Sequence, residues 1–130
     1  MYSIEKKEWG YRLTFSDFIQ AEEMQRWADE SKQRLTSAPD NFGVFVDMIH
    51  LKPLPQDAQE ILTEGQKLYK EKGMVRSVVI VNSTILKMQF QRLAKDSGIY
   101  EWERYIDASS VPNWEEAGIA WIKDGVDPDK

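Results

Sequence analysis

Apolar and polar residues alternate along this chain with two different periods, and the changes of period divide it into elements. Tyr2 and Ile4 alternate with polar neighbours, Gly10 supplies a turn, and Tyr11, Leu13 and Phe15 resume the alternation, which predicts a hairpin. The stretch IQAEEMQRWADESKQRL changes to a helical period, with Met24, Trp27, Ala28 and Leu35 on one stripe and charge around the rest. Pro39, Asp40 and Asn41 break it. FGVFVDMI is an unbroken apolar run of strand length and predicts a buried central strand.

The second half repeats the scheme. In QDAQEILTEGQKLYKEKG, residues Ala58, Ile61, Leu62, Gly65, Leu68 and Tyr69 follow a helical stripe. Pro55 sits where a first turn tolerates proline, and Gly73 suits a C-cap. MVRSVVIVN predicts a second buried strand. Asn82 or Ser83 can cap TILKMQFQRLAKDSG, whose core stripe is Leu86, Phe90, Leu93 and Ala94 and which Gly98 ends. YEWERYID alternates as a half-exposed strand. Asn113 can cap WEEAGIAWIKDG, where Trp114 and Trp121 share a face.

The resulting order is β-β-α-β-α-β-α-β-α. Strands separated by helices imply parallel pairs with right-handed crossovers, and the opening hairpin adds one antiparallel strand. The expected fold is α/β, a mixed sheet of about five strands with four helices. One domain over 1–124 is expected, with GVDPDK as a flexible tail over 125–130.

Composition narrows the chemistry. The absence of cysteine excludes a disulfide scaffold, a thiolate zinc site and a cysteine nucleophile. One histidine excludes a multi-histidine metal site, so no metal is expected. A net charge of −5 makes the chain a poor ligand for phosphate backbones, so no nucleic acid partner is expected. No apolar run is long enough for a membrane span and MYSIEKKEWGYRL has no signal-peptide core, so a cytoplasmic location is expected. Neither a Gly-x-Gly-x-x-Gly nor a P-loop is present, and no cofactor is expected.

Candidate residues concentrate in FVDMIHLKPLPQDAQ, where an apolar strand runs into a proline-containing loop and a helix start. Asp47 suits a loop-ordering acceptor. His50 as a general base would need a nucleophile and an orienting acid, for which Ser83 and Asp47 are the available strand-end residues. Without a nucleophile motif, a non-enzymatic role is expected. Asp57 lies in a helix first turn, where the macrodipole favours it. Gly65 costs its helix about 1 kcal/mol against alanine, which close packing or room for a ligand would explain. Ile85 and Met88 widen the apolar stripe beside Leu51 and Leu54. Lys67, Lys70, Lys72 and Arg76 form a basic run that suits anionic headgroups or a helix dipole.

Two stretches carry a resemblance to a known family, GVFVDMIHLKPLPQDAQEI and VVIVNSTILKMQFQRLAKDSGIYEWERYID. With the element order, they resemble the STAS domains of anti-anti-sigma factors, and most of all the SpoIIAA-like group of small stand-alone bacterial proteins. The resemblance implies a switch loop at Asp47, His50, Gln56 and Asp57, with the family's phosphoacceptor position at Gln56 or Asp57. Neither carries a hydroxyl; the nearest downstream is Thr63. Asp57 then reads as a permanent charge in place of a phosphate. The SpoIIAA-like group also implies an opening between the helices at 55–72 and 84–97 for a hydrophobic small molecule or lipid. Leu54, Ile61, Leu62, Met88 and Phe90 are expected to line it, with peripheral membrane contact. The alternative is a protein partner, docked without phosphorylation control, with the chain a monomer or homodimer.

Overall fold

A strand that crosses to a parallel neighbour does so right-handedly, so a chain stepping repeatedly in one direction places every crossover helix on the same face. The computed structural model, which describes residues 1–130, follows this rule. Strands β1 (Tyr2–Lys7) and β2 (Gly10–Phe15) form the antiparallel hairpin, in register from Tyr2 opposite Phe15 to Lys7 opposite Gly10. Then β3 (Phe42–Asp47), β4 (Met74–Val81) and β5 (Glu103–Asp107) add in parallel, giving one sheet in the order β1-β2-β3-β4-β5. Their crossovers are α1 (Ala21–Arg34), α2 (Gln56–Glu71) and α3 (Thr84–Ser97), which lie side by side. The last helix, α4 (Trp114–Asp124), packs on β3, β4 and β5 from the other face.

Two cores result. The larger joins the helix-facing strand residues Tyr11, Leu13, Phe15, Val44, Val46, Val79, Val81 and Tyr105 to Met24, Trp27, Leu62, Tyr69, Phe90 and Leu93. The smaller holds Phe45, Val78, Ile80, Ile106, Trp121 and Ile122 beneath α4. The alternation of strand side chains makes this division, so the continuous apolar runs of β3 and β4 reflect burial on both faces.

Gly65 is explained by close packing. A Cβ at this position would collide with the Trp27 ring, which α1 inserts beneath α2. Trp27 in turn stacks on Tyr69 with ring centroids 5.7 Å apart. Ser31, fully buried on α1, shares a 2.8 Å hydrogen bond with the Tyr69 hydroxyl. Ser83 caps α3, accepting the Leu86 amide at 3.3 Å, and Gly98 closes that helix in the left-handed region at φ 82°. Asn113 precedes α4 without a side-chain cap, and Pro55 is the N-cap of α2, one place before the expected first turn.

The segment expected to be a flexible tail is anchored. Arg104 Nε and Nη2 donate to the two carboxylate oxygens of Asp127 at 3.0 and 3.1 Å. Arg104 also lies over the Trp121 ring, 4.3 Å from its centroid, so residues after α4 return to the edge strand. A bidentate pair of this kind fixes both partners more firmly than a single contact.

Candidate functional site

The carboxyl ends of the parallel strands share one edge of the molecule, where α/β sheets commonly place their sites. Asp47 ends β3 there. Its Oδ1 accepts the Ile49 amide at 3.1 Å and its Oδ2 accepts Arg12 at 3.4 Å, so it orders the loop as expected. His50 is exposed, and its carbonyl accepts the Asp17 amide at 2.9 Å. The Ser83 hydroxyl is used by the α3 cap. No hydrogen bond joins Asp47, His50 and Ser83. Gln56 and Asp57 are exposed in the first turn of α2, where Asp57 Oδ1 accepts the Ala58 amide at 2.8 Å. The Thr63 hydroxyl donates to the Gln59 carbonyl one turn earlier.

Of the five residues expected to line an apolar space between α2 and α3, Leu62 and Phe90 line one small cavity, and Leu54, Ile61 and Met88 do not. Leu54 is buried under the loop, Leu62 and Phe90 are in the main core, Ile61 faces α1, and Met88 is 65% exposed on the outer side of α3. Polar contacts also tie these two helices to each other and to the loop before α2. Arg92 donates to Gln59 Oε1 at 2.7 Å, Gln59 Nε2 donates to the Leu54 carbonyl at 2.9 Å, and Gln89 Nε2 reaches the same carbonyl at 3.4 Å. The crevice above these contacts is lined mostly by polar residues, among them Glu60, Thr63 and Asp96. Ile85 and Met88 lie off the core stripe and stay at the surface, as does Phe18.

The basic run also disperses. Lys67 pairs with Glu64, Lys70 donates to the Gly98 carbonyl and sits over Trp102, and Arg76 turns to the Ile122 carbonyl on the opposite face. The strand parity of β4 and the turn of α2 separate these charges.

Two features stand out in their place. The first is a groove of about 570 Å³ between α1 and α2. Its apolar part is Ala28, Ile61, Gly65 and Leu68; Asp29, Asp57, Glu60 and Glu64 set four carboxylates against the single cation Lys32. The missing Cβ of Gly65 lets the helices approach and shapes this surface.

The second is a cavity of about 30 Å³ under α2, lined by fifteen residues, of which twelve are hydrophobic and the other three are Gln66, Ser77 and Glu103. Glu103 faces the helices from β5, opposite Ser77 on β4. Burial pushes its carboxyl up to about 8, against the opposing influence of hydrogen bonds from Tyr105 and Ser77. The Ser77 hydroxyl is near enough to act on the carboxyl, but not aligned for a well-formed hydrogen bond. The geometry agrees with a neutral acid. The Tyr105 hydroxyl lies 2.9 Å from both the Phe90 carbonyl and Glu103 Oε2. Its one proton can serve only one of them, so both contacts are hydrogen bonds together only when the carboxyl is protonated and donates to Tyr105. Around the same cavity Trp27 Nε1, Gln66 Oε1 and Ser77 Oγ are buried without partners. Each such group costs about 1–3 kcal/mol if left dry.

Sequence reasoning did not single out Glu103. In YEWERYID the apolar residues fall on both parities, Tyr105 with Glu103 and Ile106 with Arg104, so the pattern alone does not show which acid turns inward. Ser77 was the available signal. It shares a strand face with Val79 and Val81, and a buried hydroxyl needs a partner from a neighbour.

No three acidic or histidine side chains gather where they could hold a metal ion, and no helix is long and apolar enough to cross a membrane. Comparison with protein-family models and with curated proteins finds no match to this chain.

Proposed function

We propose that the chain is a STAS-like binding module of the SpoIIAA-like kind, non-enzymatic, that docks a basic amphipathic segment of a protein partner between α1 and α2. The observation that carries this reading is the groove itself, where half-buried Ile61 and Leu68 lie beside four carboxylates. A helix laid in such a groove buries its apolar stripe and sets its cations against the acidic rim. Asp57 belongs to that rim, and with Gln56 it is one of the two positions to which the family resemblance assigns the phosphoacceptor. Its charge is permanent, so docking there needs no kinase.

A second reading has an observation of its own. The apolar cavity lined by Leu62 and Phe90, with Phe18, Ile85 and Met88 exposed, favours a hydrophobic small molecule or lipid admitted at a membrane surface. It requires α2 and α3 to part, because about 30 Å³ is far below the ~300–1,000 Å³ of ordinary ligand sites. Native mass spectrometry separates the two. The groove reading expects the bare chain or a protein complex. A small-molecule adduct that disappears on denaturation would overturn it in favour of the second.

A further inference from the structure

Trp27, Gln66, Ser77 and Glu103 come from α1, α2, β4 and β5, and all four line the cavity under α2. No cap or turn accounts for their meeting, since they belong to four separate elements. The indole N–H only donates, the Gln66 amide oxygen only accepts, and the Ser77 hydroxyl does both. Trp27 Nε1 and Gln66 Oε1 have no partner within the protein, and Ser77 Oγ has only its misaligned contact with Glu103. Whatever satisfies them must therefore both donate and accept. It must also be uncharged, because the remaining lining is almost entirely apolar and an ion would lose its hydration there. A space of about 30 Å³ sets its size. A water molecule needs about 10–15 Å³ measured in this way, so about two fit.

We propose that this cavity is a binding site for small neutral molecules that both donate and accept hydrogen bonds, occupied in the protein alone by about two waters bridging Trp27, Gln66, Ser77 and Glu103. Glu103 also stands between this site and a second space at the surface. It lines an outer crevice together with Lys87, Gln91, Tyr100 and Arg104, and it is the one residue common to the linings of both spaces. This site stands independently of the groove between α1 and α2.

The test is a high-resolution crystal structure of the full chain, with a second crystal pressurised with xenon. The expected result is ordered water in the cavity, within hydrogen-bond distance of at least two of Trp27 Nε1, Gln66 Oε1 and Ser77 Oγ, and no xenon there. A cavity without water peaks, or one that takes xenon as a dry apolar void does, overturns the proposal. The Ser77→Val variant, where it folds, should lose at least one of the peaks; unchanged peaks in that variant also count against the assignment. If it does not fold, the wild-type crystals decide alone.

Discussion

Replacing Glu103 by glutamine keeps the shape of the side chain and removes its titration. In the folded protein the carboxyl is held at about 8, against an ordinary value of 4.5. Between those two values the folded state keeps a proton that the unfolded state releases, so stability is fullest below pH 4.5 and falls as pH rises towards 8. At ~1.4 kcal/mol per unit of pKa difference, about 3–4 kcal/mol is lost between roughly pH 5 and pH 8. With a urea dependence of about 1–3 kcal/mol per molar, the midpoint should drop by about 2 M over that interval. The Glu103→Gln protein lacks this term, and its amide can still donate to Tyr105. Urea unfolding of both proteins across the interval gives the difference directly. Glu30, Asp107 and Asp127 are held below their usual range by hydrogen bonds, and Tyr69 and Tyr105 are pushed above theirs by burial, so these groups titrate outside the window. Parallel midpoint curves for the two proteins would refute the neutral buried carboxyl.

Other substitutions test other parts of the structure. Gly65→Ala should destabilise by about 1–3 kcal/mol through collision with Trp27, although alanine favours a helix; a more stable protein in thermal or urea unfolding would mean that α1 and α2 do not meet there. Ser83→Ala removes the α3 cap and should cost about 1 kcal/mol in urea unfolding, and an unchanged midpoint would show that the cap is not formed. Met88→Lys should change stability by less than about 0.5 kcal/mol, because the side chain is at the surface, whereas a large loss would place it in the core.

The hydrophobic pattern determines much of this fold because each element spends its apolar residues on a definite face. The stripes on 56–71 and 84–97 mark the buried sides of α2 and α3, and the runs at 42–47 and 74–81 mark strands covered on both faces. The order of elements with right-handed crossovers then leaves little freedom in topology. The site is less legible because it depends on groups that meet across the sheet. Ser31 reads as a helix-surface serine until Tyr69 is placed above it. Glu103 reads as an exposed strand acid until the parity of β5 is known. Met88 and Ile85 are legible only as a wider stripe, and the rotation of α3 about its axis decides that they face outward. Asp127 looks loose in sequence because its partner Arg104 lies far back along the chain.

Docking in the groove between α1 and α2 is tested most directly by comparing three tagged proteins as baits in an extract of the native cell. These are the wild type, the charge-reversed Asp29→Lys/Glu60→Lys variant, and Met88→Lys as a surface control. Any captured protein is then purified and titrated against each bait. The groove reading predicts a basic partner that binds the wild type and the control alike. It should bind the charge-reversed protein at least tenfold more weakly, a loss of about 1.4 kcal/mol. Equal affinity for all three proteins, or loss only with Met88→Lys, would contradict it.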